Sequence, residues 1–237
     1  HVMDGNLLIQ FRVENHRSLR YEQTLSLVAS SGKPENGVIR VDAFSESLLP
    51  VVAIYGANAS GKSNVLGALS FMRHAIMDSQ RRWEPLAATP QQPFLLSDKQ
   101  RQPSLYEAEI LVANIRYRYG FSLSATRIEE EWLYSWPHGK KTVLFTREGS
   151  AFEFGKSLHG ENEAIRGLTR DNSLFLSAAA QNNHAALGPV FRYFYDWAFA
   201  LRRPGAWQTP TIDNIAHRLS MERERSGLDK ADIIQLL

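Results

Sequence analysis

Cysteine is absent from the 237-residue sequence, which removes zinc fingers, redox pairs and cysteine nucleophiles and leaves no pointer to an oxidising compartment. No apolar run approaches the ~20 residues needed to cross a bilayer. The start lacks the basic-then-apolar layout of a secretory leader, so a cytoplasmic protein with no membrane partner is expected. Charge of one sign is also scarce. The formal net charge of +2 is too small to imply a polyanion by itself, because that inference needs positive charge gathered on one face; DNA as a partner stays open. The histidines His16, His74, His138, His159, His184 and His217 are scattered without H-E-x-x-H or comparable spacing, which argues against a dedicated transition-metal site. No internal repeat or low-complexity tract is present.

What is present is an ordinary globular composition, 43% hydrophobic and 22% charged, in a chain long enough to bury a core without disulfides. His1 and Val2 before Met3 read as a tag remnant, so residues 1–3 are set aside. Ile9, Phe11 and Val13 alternate with Gln10 and Arg12, the period of a half-buried strand over Leu7 to Val13, and a second short strand is expected around Thr24 to Val28. The run Val51-Val52-Ala53-Ile54-Tyr55 is short, β-branched and unbroken, as in a strand covered on both faces of a parallel sheet. A helix is expected from about Lys62 to Met77, with Val65, Leu69, Met72 and Ile76 at helical spacing.

The proline-bearing stretch Gln80 to Pro103 reads as a long irregular connection, a candidate mobile segment. Four alternating runs follow: Tyr106 to Val112, Ile115 to Leu123, Glu130 to Trp136 and Thr142 to Thr146. Turn residues separate them, so they predict an antiparallel meander. Within it Tyr117, Tyr119 and Phe121 share one face and Arg116 and Arg118 the other, the pattern of a half-buried sheet with a solvated basic face. Glu129 and Glu131 share a strand face and are expected to be solvated. Leu174 to Ser177 reads as another buried strand, His184 to Leu201 as helical, and a last helix is expected near Asp229. The apolar end at Leu236 and Leu237 suggests a chain that stops within a domain.

The chemistry is concentrated in Gly56-Ala57-Asn58-Ala59-Ser60-Gly61-Lys62-Ser63, which matches the Walker A spacing without a mismatch and sits between an apolar run and a helix. Glycine at both ends lets backbone amides converge on phosphate, and the helix that follows offers its positive dipole end. Lys62 is the candidate catalytic residue, neutralising β and γ phosphates, and the Ser63 hydroxyl the candidate Mg²⁺ ligand. ATP and Mg²⁺ are the cofactors this implies, with Asn64 completing the nucleotide-binding set. Arg12 and Arg17, beside the first strand, are weighed as phosphate or base contacts against the plainer reading of surface arginines.

The asparagines flanking the lysine, Asn58 and Asn64, resemble the loops of SMC, RecF and ABC-like ATPases, and Phe11-Arg12-Val13-Glu14-Asn15-His16-Arg17-Ser18-Leu19 is similar to the opening strand and turn of those heads. The order loop, long connection, antiparallel sheet and Leu-Phe-Leu-Ser segment most resembles the AAA-annotated, ABC-like ATPases of abortive-infection and other antiphage systems, relatives of the overcoming-lysogenisation-defect nucleases. The resemblance implies an α/β P-loop NTPase of ABC/SMC head type, with a mixed sheet, the meander and a C-terminal helical part. The ATP-binding lobe would span 4–183 and a helical subdomain would begin in 184–237. It further implies ATP held between two heads, hence a homodimer through ATP, and control of an effector or nuclease.

In such heads a strand-end glutamine reaches Mg²⁺ and the attacking water, a role the resemblance assigns to Gln181, just after Leu174 to Ser177. The Walker B strand and an LSGG-like signature are not found. The acids Glu129, Glu130 and Glu131 follow a single apolar residue, Ile128, and not a run of four, and Leu219-Ser220-Met221 lacks the glycines. The family places both elements C-terminal to this lobe, so the chain is expected to bind nucleotide and to turn it over poorly alone. The rival readings are an ATP-gated DNA-binding module acting with a separate nuclease, and a kinase or GTPase, for which no N-K-x-D or lid motif is seen.

Overall fold

The computed structural model describes residues 6–30, 37–57 and 61–198. A seven-stranded sheet forms its frame. It is made from β1 (Leu7–Glu14), β2 (Gln23–Ser26), β5 (Ser104–Val112), β6 (Ile115–Leu123), β7 (Ile128–Trp136), β8 (Thr142–Glu148) and β9 (Ala151–Phe154), in the order β2-β1-β5-β6-β7-β8-β9. β3 (Ile39–Val41) and β4 (Phe44–Leu48) form a separate hairpin. Every ladder is antiparallel, so the mixed sheet expected from sequence is not seen among the described residues. The four runs of the meander are all strands, extended by up to two residues at their ends.

The pleat sorts side chains onto two unlike faces. Register places Val13, Tyr106, Phe121 and Glu131 in one row, and Phe11, Ala108, Tyr119, Leu133 and Phe145 in the next, all buried. On this face lie α1 (Lys62–Arg82), α3 (Phe175–Gln181) and α4 (Gly188–Tyr195). Their aromatics complete the core. Phe71 stacks on Tyr106 at 4.8 Å, Phe194 tilts against Tyr119 at 5.6 Å, and Phe175 meets Phe145 at 4.9 Å. α2 (Asn162–Leu168) packs beside α3.

The opposite face is polar and internally paired. Arg12 binds Glu22 and Glu107, and Arg116 and Arg118 both bind Glu109. Trp132 reaches over Gly120 to donate its indole N–H to Glu107 at 2.9 Å, and a Cβ on Gly120 would collide with the indole. The glycine is therefore the gap through which two strands' side chains meet. A bulge at Ile9 turns that residue into a second cluster with Val41, Leu48 and Leu111 beneath the β3–β4 hairpin.

Two further expectations are overturned. Val51 to Tyr55 forms no strand, and Val51 and Tyr55 are 67% and 89% exposed. A two-sided strand needs neighbours for its backbone, and none of the described strands pairs with this run. Leu174 to Ser177 is the start of helix α3 rather than a strand. The connection after α1 is irregular, as expected apart from a 3₁₀ turn at Asp98–Arg101, but it is tied down. Asn15 Nδ2 donates to the carbonyls of Lys99, Gln102 and Pro103, Asn15 Oδ1 accepts from Phe94 N, and Thr89 N donates to Ala125 O. The helix expected near Asp229 lies outside the described residues.

Candidate functional site

Helix α1 starts at Lys62, and its cap, Gly61, holds φ +89°, the left-handed region that glycine enters without penalty. Gly61 is confined as well as bent. A Cβ there would stand 3.2 Å from Ser18 Oγ and 3.3 Å from Leu19 Cδ2. The first turn carries no acidic residue, and Arg81 and Arg82 lie in the last. The helix start thus keeps its positive end undiminished toward the loop. Lys62 Nζ folds back over the loop, donating to the carbonyl of Gly56 at 2.7 Å and to that of Ala57. Ser63 is exposed beside it, while Asn58, Ala59 and Ser60 lie outside the described residues.

A turn from Asn15 to Leu19 forms a wall beside this loop. His16 and Leu19 exchange backbone hydrogen bonds, and Asn15 and Arg17 hold φ of 57° and 51°. The wall is mounted from three sides. His16 Nδ1 pairs with the Tyr106 hydroxyl at 2.8 Å, Arg17 Nε donates to Gln92 Oε1 at 2.6 Å, and Ser18 Oγ accepts from Asn64 Nδ2 at 2.5 Å. Gly67 makes room for the arginine, since a Cβ there would stand 3.0 Å from the Arg17 guanidinium. Burial, and secondarily the charge of Arg17, draws the His16 imidazole down to about 4. Of the two arginines singled out in the sequence, Arg17 therefore lies against the loop's helix. Arg12 is committed to carboxylates on the far face of the sheet.

Gln181 is the last residue of α3 and is exposed. The strand end that nominated it does not exist, because Leu174-Phe175-Leu176-Ser177 winds into a helix capped from a distance. Glu131, fully buried, accepts from the backbone amides of Phe175 at 2.7 Å and Leu176 at 3.0 Å and from the Tyr119 hydroxyl at 2.9 Å. Arg147 stands 3.7 Å away and donates to the Ser173 carbonyl at 2.6 Å. Burial raises the Glu131 carboxyl, against the opposing pull of Arg147 and the two amides. The solvated role expected for Glu131 is thus corrected to that of an internal helix cap; Glu129 pairs with Arg127 at the surface. Alternation alone could have flagged Glu131, which shares its face with the buried Leu133.

A left-handed glycine, a lysine folded over the loop and a helix start free of acid, set on an α/β frame, are features that the P-loop class requires. The match to a family model narrows this. Residues 51–202 fit the AAA domain family described for the AbiEii toxin of type IV toxin–antitoxin systems. The chain belongs to that family, AAA ATPases of abortive-infection type. No curated protein matched the chain. No helix among the described residues is long and apolar enough to cross a membrane, and no cluster of metal-ligating side chains occurs among them.

Proposed function

We propose that this chain binds Mg²⁺-ATP at Gly56 to Asn64 as the nucleotide-binding part of an ATPase head, whose occupancy drives pairing with a second head and control of an effector. The observation that carries this is the start of α1. There Gly61 turns left-handed so that the helix's positive end meets the loop, and the Lys62 ammonium already sits on the loop's own carbonyl oxygens. These residues fit the anion. The phosphate oxygens would replace weak carbonyl acceptors with charged ones, which an ammonium prefers. The loop amides and the helix dipole would hold the remaining phosphate charge. Ser63, at the second helical position and exposed, is the hydroxyl that would hold Mg²⁺, and the ion would supply further neutralisation of the β and γ phosphates.

Gln181 is not part of this reading. With its strand replaced by a helix, nothing recommends it over other exposed polar residues. Hydrolysis is assigned to the assembled head, because a Walker B aspartate and a signature segment are not recognisable in the sequence; slow turnover by the 237-residue chain follows. Antiphage defence or DNA maintenance is the proposed setting, and the family's abortive-infection description supports the first. The rival reading, a DNA-binding module gated by ATP, gains nothing from the sheet's basic residues. Arg12, Arg116 and Arg118 are neutralised by Glu22, Glu107 and Glu109.

Calorimetric titration of Mg²⁺-ATP and Mg²⁺-GTP into the chain and its Lys62→Ala variant tests the site. Saturable ATP binding that Lys62→Ala weakens at least about a hundredfold, a loss of roughly 3 kcal/mol, is the expected result. Equal binding by the two proteins would remove the loop from the account.

A further inference from the structure

We propose that Ser18 is a positioning residue of the nucleotide site, acting through Asn64 and Gly61 rather than by touching phosphate; this rests on the function proposed above. Two contacts carry it. The Ser18 hydroxyl accepts the Asn64 side-chain amide at 2.5 Å, which fixes a side chain in the first turn of α1, two residues beyond Lys62. The same oxygen, with Leu19 Cδ2 beside it, would stand 3.2 Å from a Cβ placed on Gly61, so the turn borders the residue bent at φ +89° closely and leaves little room for a side chain there.

The mounting behind Ser18 belongs to distant chain. His16 is held by Tyr106 and Arg17 by Gln92, while Asn15 is gripped by the carbonyls of 99, 102 and 103, the amide of 94 and the hydroxyl of Ser104, which donates to its carbonyl. Two non-glycine residues of the turn, Asn15 and Arg17, occupy the left-handed region. That conformation costs roughly 1–2 kcal/mol for a residue such as arginine, and it persists where surrounding bonds over-determine it. A strained turn held at Asn15, His16 and Arg17 and presenting one hydroxyl to the loop's helix is a rigid mount for that hydroxyl. The loop's left-handed exit is thereby set before nucleotide arrives, which lowers the ordering cost of binding.

The test is a double-mutant cycle on Mg²⁺-ATP affinity using Ser18→Ala, Asn64→Ala and the double variant, with Ser18→Thr to retain the hydroxyl and Tm recorded for each. Each alanine variant is expected to raise Kd about fivefold, the double variant no more than the weaker single, and Ser18→Thr to bind within about twofold of the unmutated chain, with Tm unchanged. Wild-type affinity in Ser18→Ala, multiplicative losses in the double variant, or a fall in Tm that tracks the loss of affinity would each overturn the positioning role. Absence of binding to the unmutated chain would instead overturn the proposed function and this inference together.

Discussion

His16 lies fully buried beside the stacked rings of Phe71 and Tyr106, 5.9 and 5.6 Å away, with Arg17 adjoining it in the chain. Such a site favours the neutral imidazole, and the folded value of about 4 lies below the ordinary value of 6.5. Between those values the unfolded chain binds a proton that the folded chain declines. Stability from this group is therefore full above about pH 6.5 and falls as the pH drops toward 4, by up to about 3 kcal/mol. Urea unfolding of the wild type and His16→Gln across that window should show the wild type's relative stability declining with acid. A difference that stays constant with pH would mean that His16 is protonated in the fold. The sequence presented this histidine as one of several scattered, unremarkable ones. Only the pairing of β1 with β5 brings it to Tyr106, 90 residues away, and no local pattern encodes that meeting.

At the level of elements, α3 and β7 are one unit. A seven-residue helix is too short to persist on its own, and the carboxylate that caps it comes from Glu131, 44 residues earlier in the chain. Glu131→Gln would put an amide N–H against a backbone N–H and leave Arg147 buried without its counter-charge, a loss of about 3–5 kcal/mol. A urea midpoint shift worth under about 1 kcal/mol would show that the cap is dispensable; a partial recovery in Glu131→Gln/Arg147→Met is the companion expectation. The same arrangement explains why α3 reads as a strand in the sequence. Four mostly apolar residues carry no period that separates strand from helix, and the deciding contact is remote. The meander was legible for the opposite reason, because each strand's alternation is complete within nine residues or fewer and each turn is local. Val51 to Tyr55 reads as a covered strand because β-branched runs usually are covered, and coverage is a tertiary property that composition cannot supply.

For the whole molecule, the loop is a contiguous motif that spacing alone picks out, whereas the mounting of its wall is not, since Gln92 and Tyr106 meet the turn only by folding. If nucleotide joins two heads, light scattering should report a doubling of mass with Mg²⁺-ATP and none for Lys62→Ala; binding without any mass change would separate the nucleotide site from pairing. The pairing of β1 with β5 has a topological meaning of its own. These two strands close a chain loop of roughly 90 residues, as the 89-residue separation between Asn15 and Ser104 marks, and α1 and the connection that follows it both fall within that stretch of sequence. Its clasp is the Asn15 cluster, which is also the root of the Ser18 turn. One cluster of side-chain and backbone bonds thus serves two ends of the chain loop, fastening the Ser18 turn at one and the connection that follows α1 at the other.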